Sequence, residues 1–247
     1  MADDNQNNQM ALISGASGAG KSASLRNIRD QHRWCYLNCE AGKRLPFKNT
    51  FKSAVVTDPY QIYGTIDWAI ANHNEIDGII IDTATFMMDM FESIYIFNAV
   101  DTQKGWANYA QFWKGLMQDK IAEWGKLKKT TLILAHTRSE LNEQAMEWQT
   151  AVPIKGALKN QGLEAYFSTV VSPKKIQVSE LDKYPNPLLH IDDEDKELGF
   201  KHVFQTRITK GTTGERIRSP MGLFSKNETY IDSDAQLLVD HLKAYYA

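Results

Sequence analysis

Cysteine is scarce, with Cys35 and Cys39 the two in 247 residues. That number argues against a disulfide scaffold. It argues equally against a zinc site, which wants a second pair of Cys or His at ligand spacing. Both cysteines lie in an apolar run, so buried free thiols in a reducing compartment are expected. Long apolar stretches are missing too. None approaches the roughly 20 residues of a membrane span, and Ala2–Gln9 is too polar for a signal peptide. The expectation is a cytoplasmic protein with no membrane partner. Charge excess is also absent, since 28 Lys and Arg against 30 Asp and Glu leave −2. No global positive field draws in nucleic acid, so any such binding needs a local patch. Neither an internal repeat nor a separating linker is visible. Residues 1–9 read as a flexible tail and 10–247 as a single α/β domain, long enough to bury a sizeable core.

What the chain does have is Gly15-Ala16-Ser17-Gly18-Ala19-Gly20-Lys21-Ser22. It fits G-x-x-x-x-G-K-[ST], the phosphate-binding P-loop. Met10-Ala11-Leu12-Ile13 before it reads as a buried strand, and Ala23–Arg29 after it as a helix with Leu25 and Ile28 on one face. Glycines let consecutive N–H groups point inward to make an anion site, and the helix start adds its dipole. Lys21 is placed to reach the phosphates of ATP and Ser22 to ligate Mg²⁺. The competing reading is a flexible Gly/Ser turn.

Further strands are expected at Trp34–Cys39, Ala54–Val56, Gly78–Asp82 and Thr131–Ala135. Between them lie helical patterns at 60–72, 84–99 and 106–128. Alternation of this kind predicts a mostly parallel sheet flanked by helices. Trp106, Tyr109, Trp113 and Leu116 recur at helical spacing, which marks a core-facing stripe before it marks a base-stacking platform. Beyond Val152 the pattern predicts a short helix over 156–166, a β-rich stretch over 168–178 and a strand over 203–210. A Gly-flanked hairpin carrying Lys210 to Arg218 follows. The acidic run Asp192–Asp195 reads as a solvated loop, and Ser233 as the cap of a last helix.

Three strands end on a polar group. Asp82 stands where a carboxylate holds Mg²⁺, at the sheet edge that binds ligands in open α/β folds. Glu40 is a candidate general base for an attacking water. His136 is a candidate hydrogen-bond partner of the terminal phosphate. The run from Cys35 to Glu40, the Ile79–Asp82 run and Leu134-Ala135-His136 together resemble RecA-like ATPases, closest to the compact phage-encoded ones of single-strand annealing and recombination.

The resemblance covers about residues 10 to 245. It implies a RecA-like fold with a C-terminal β-hairpin extension, ATP hydrolysis with Mg²⁺, and Glu40 activating water. It further implies His136 sensing the γ-phosphate, where the bacterial recombinases carry Gln. It also implies a homo-oligomeric filament or ring in a phage-infected bacterium, with ATP at an interface to which a neighbour donates Lys210, Arg216 or Arg218. Single-stranded DNA is the implied partner, facing 138–161, a region less glycine-rich than in the family. The basic candidates for that contact are Arg138, Lys155, Lys159, Lys174 and Lys175. Two alternatives stay open: a nucleotide-clamped annealing protein with little turnover, and a helicase-type motor or loader.

Overall fold

The computed structural model describes residues 9–143, 146–159 and 161–247. Of the expected tail, residues 1–8 lie outside them, while Gln9 is tied to the strand at Thr130–His136, its backbone O accepting from Thr131 N at 2.9 Å. Strands β1 (Met10–Gly15), β2 (Trp34–Asn38), β3 (Lys52–Val55), β4 (Gly78–Asp82) and β5 (Thr130–His136) come first. Next are β6 (Arg138–Asn142), β7 (Glu147–Ala151), β8 (Thr169–Gln177), β9 (Phe200–Gln205) and β10 (Tyr230–Asp232). Eight of these form one sheet in the order β3-β2-β4-β5-β1-β8-β9-β10. The pairings from β3 across to β8 are parallel, and β9 and β10 join antiparallel at the far edge.

Helices α1 (Gln61–Ala71), α2 (Ala84–Phe91), α3 (Thr102–Lys114) and α4 (Ile121–Lys126) cover one face. Wide π-helical turns, Glu92–Ile96 and Gly115–Lys120, continue α2 and join α3 to α4. Two short helices, α5 (Val178–Leu181) and α6 (Asp193–Leu198), flank β9, and α7 (Ala235–Tyr245) lies on the opposite face. Successive strand residues point to opposite faces, so Ile79 and Ile81 pack with α1–α4 while Ile80 joins Leu238 and Leu242 of α7. Strands covered on both sides need apolar residues throughout, hence the unbroken runs in β4 and β5. Tyr109, Trp113 and Leu116 are fully buried in the first core, and Trp106 packs against Tyr109. The aromatic stripe is core. Truncating Trp113 to Ala is expected to cost about 3–5 kcal/mol.

Several local expectations are corrected. The P-loop is followed by a six-residue 3-10 turn, Ser22–Asn27, which ends as Ile28 turns extended to put its side chain in the core. The 156–166 segment is two separate 3-10 turns, because Gly162 sits at φ 76. The strand expected over 203–210 is β9, which starts three residues earlier and stops at Gln205. Residues Lys210–Arg218 are not a hairpin. Their backbone makes isolated bridges, Glu215 to Thr150 and Arg218 to Val170. Among the described residues an antiparallel pair of short strands lies instead at β6–β7, within the region expected to be DNA-facing loops. The acidic run opens α6 through a capping box between Asp192 and Asp195. Asp234, not Ser233, caps α7, its carboxylate accepting from the backbone N–H of Gln236 and Leu237.

Candidate functional site

The strand order β2-β4-β5-β1 carries Glu40, Asp82, His136 and the Gly15–Ser22 loop to one edge of the sheet. Register holds them level. Gly15 pairs with His136, and Asp82 pairs with Asn38 on one side and Leu134 on the other. Past the strand ends, Cys39 N donates to Asp82 O at 2.7 Å and Glu40 N to Asn38 Oδ1 at 2.9 Å. Those bonds keep Glu40 beside the aspartate.

Within the loop, Gly18 (φ 75) and Gly20 (φ 99) adopt left-handed backbone, which a side chain strains. Lys21 is 5% exposed. Its Nζ donates to Gly15 O and Ala16 O, each at 2.9 Å, and lies 3.2 Å from His136 Nδ1. An ammonium has no lone pair, so Nδ1 accepts and the imidazole proton belongs on Nε2. That nitrogen faces Glu40 Oε1 at 3.3 Å. The second glutamate oxygen accepts from Lys43 Nζ at 2.8 Å. Ser22 Oγ donates to Asp82 Oδ2 at 2.9 Å, and Tyr36 OH donates to the same oxygen at 2.8 Å. Asp82 Oδ1 is buried with no partner among the described residues.

Electrostatics follow from this packing. Burial pushes the Lys21 amine down to about 8, against the pull of Asp82 and Glu40. Burial raises Asp82, opposed by the Tyr36 and Ser22 hydroxyls. For Glu40 burial works against ionisation, but hydrogen bonds from Lys43 and His136 outweigh it and hold the carboxyl below its ordinary value. Burial and the Lys21 charge lower His136, so the ring is neutral at pH 7. Cys35 and Cys39 are free and buried, and burial raises their thiols to about 11 and about 12. They are inert.

These groups surround a cleft of about 270 Å³. Its donor set fits a phosphate chain with a divalent cation. Lys21 is a buried cation whose direct partners are two neutral carbonyls and a neutral ring. Ser22 Oγ and the Asp82 carboxylate are hard oxygen donors joined through Oδ2, and Asp82 Oδ1 is left unpaired. Glu40 and His136 stand across the cleft as an oriented acid–base pair.

The other predicted residues are more dispersed. Arg138, Lys155 and Lys159 meet at a second cleft of about 640 Å³, which Glu140, Glu147 and Glu215 also line. Lys174 and Lys175 do not join them. Lys174 pairs with Glu215, and Lys175 lies over the Phe200 ring. Lys155 is paired to the buried Glu92 at 2.8 Å, and Arg216 reaches the buried Glu164 at 3.3 Å. Lys210, Arg216 and Arg218 are absent from the lining of the cleft around Lys21. Four residues of the site escaped sequence reasoning. Tyr36 and Thr85, whose Oγ1 accepts from His136 N at 2.8 Å, looked like core and helix start. Lys43 and Arg44 entered no sequence reading, and their closeness to Glu40 in the chain was the available signal. No protein-family model matches the chain, and no curated protein sequence matches it.

Proposed function

We propose that this protein is a Mg²⁺-dependent ATPase of the RecA-like kind. The observation that carries the reading is one cleft holding the buried Lys21 without a carboxylate partner, the Ser22–Asp82 pair with a free buried oxygen, and Glu40 bonded to His136. In this reading the Gly15–Ser22 loop and Lys21 hold the phosphates, and Ser22 with Asp82 holds Mg²⁺. The metal supplies charge neutralisation and orientation of the phosphates. Glu40 takes the proton of an attacking water, and His136 fixes the carboxylate's orientation while sensing the terminal phosphate. Assembly into a ring or filament that binds single-stranded DNA belongs to the same proposal. It is supported by Lys210 and Arg218, both exposed and outside their own cleft. Arg216 fits that role less well, being engaged by Glu164.

A second reading, a nucleotide clamp with slow turnover, draws support from Glu40 itself. Its carboxylate accepts from both Lys43 and His136, which weakens it as a base. The deciding experiment is ATP binding and turnover by the parent and Lys21→Ala, with and without single-stranded DNA. The proposal expects Lys21→Ala to lose both binding and turnover. A variant that binds and hydrolyses like the parent removes the nucleotide reading. Tight binding with negligible turnover in the parent selects the clamp.

A further inference from the structure

The loop leaving Glu40 turns sharply through Ala41 (φ 51) and Gly42 (φ 78), both left-handed. Lys43 N closes the turn on Glu40 O at 3.0 Å, and Asn38 Nδ2 donates to Lys43 O at 2.8 Å. The chain is therefore pinned on both sides of Lys43, and the next residue lines the phosphate cleft with Lys21, Ser22, Glu40, Asp82 and His136. Three cations line that cleft. Lys21 is engaged by carbonyls and imidazole, and Lys43 by Glu40. Arg44 has no hydrogen-bond or ion-pair partner among the described residues. On its outer side the loop continues into a groove lined by Lys43, Arg44 and Lys48 and by no carboxylate. Arg44 thus stands at the positive mouth of the cleft, on the side of the carboxylate proposed to activate water.

We infer that Arg44 contacts the terminal phosphate from within the same subunit, an assignment that rests on the nucleotide reading above. A guanidinium fork matches two phosphate oxygens, where an ammonium offers a point charge. Held beside Glu40, it stabilises charge developing on the transferred phosphoryl group. This role is separate from that of Lys210 or Arg218, which would come from a neighbour. The cis cation shares its chain with the Lys21 it serves.

The test compares parent, Arg44→Ala, Arg44→Lys and Lys48→Ala in steady-state ATP turnover. Calorimetric affinities are measured for ADP and a non-hydrolysable ATP analogue. Arg44→Ala is expected to lose about 10²-fold in turnover, the loss typical of removing one transition-state donor. Its affinity for the analogue should drop while ADP affinity holds, because ADP lacks the terminal phosphate. Arg44→Lys should recover part of the loss, and Lys48→Ala should match the parent. If Arg44→Ala does not fold, Arg44→Gln gives the same readouts. An equimolar mixture of Lys21→Ala and Arg44→Ala should stay inactive, since no subunit carries both groups. Parental turnover in Arg44→Ala, equal weakening of ADP and analogue, or recovery in the mixture overturns the assignment. If Lys21→Ala also leaves turnover untouched, the nucleotide reading itself falls and takes Arg44 with it. If Lys21 matters and Arg44 does not, the Arg44 assignment alone falls.

Discussion

Two clefts of this molecule use charge in opposite ways. In the cleft around the Gly15–Ser22 loop, Lys21 is buried against neutral groups and Asp82 keeps a buried oxygen unpaired. In the second cleft, below the β6–β7 hairpin, the cations are matched: Lys155 to Glu92, Arg216 to Glu164 and Arg138 to Glu140. Unpaired buried polar groups are costly, and a fold retains them where a ligand completes them. Paired ones hold chain segments together. Glu164 shows this, accepting from Val152 N at 2.7 Å as well as from Arg216. Glu92 Oε1 is also buried without a partner among the described residues, so what separates the clefts is the cation: Lys21 meets neutral groups, whereas Lys155 and Arg216 meet buried carboxylates.

The sharpest way to break the contrast is Glu40→Gln. It keeps shape but removes the base, so turnover should fall by about 10²-fold or more, roughly 3 kcal/mol of barrier, with analogue binding retained. A near-normal rate moves the base to another group of the cleft. Next in size is Arg216→Ala. It leaves the Glu164 carboxylate buried beside a single backbone donor, which should cost about 2–3 kcal/mol in urea unfolding. Lys210→Ala and Arg218→Ala should stay within about 0.5 kcal/mol of the parent. If all three behave alike, the matched cleft is not structural.

Smaller still is the effect on single-stranded DNA. Arg138→Ala with Lys159→Ala should weaken an oligonucleotide about tenfold in fluorescence anisotropy, and lower the salt slope by roughly 1–2. Lys155 is a poorer probe because it neutralises Glu92. Unchanged affinity places DNA elsewhere.

A further contrast is a pH dependence. Lys21 titrates at about 8 in the fold against its ordinary 10.5. Between those values the unfolded chain holds more protons, so stability rises with pH across the window, and the burial cost is fully present below it. Relative to Lys21→Met, the parent should therefore gain thermal stability from pH 8 to 10.5. A pH-independent difference would show that the amine is not strained by burial.

Much of the parallel core was legible because its cause is local. Unbroken apolar runs such as Gly78–Asp82 belong to strands covered on both faces, and β4 occupies those residues. The phosphate loop was legible because left-handed backbone at Gly18 and Gly20 demands glycine. Residues 206–218 were illegible. Their path is set by isolated bridges to Thr150 and Val170, each distant in sequence. Spacing carries no trace of such pairings. Charge partners were hidden for the same reason, since nothing near Lys155 in the chain announces Glu92, 63 residues away.

By itself, then, the sequence determined which segments become buried strands, and that Glu40, Asp82 and His136 each stand at the end of one. Hydrophobic period and glycine geometry act over a few residues, and they suffice for that. Only the tertiary structure decided that β5 lies between β4 and β1, setting His136 between Lys21 and Glu40. It also decided which cations are free to meet a ligand, leaving Arg44 open and tying Arg216 to Glu164. Strand order and ion pairing join residues far apart in the chain, and those distances are settled only when the core closes.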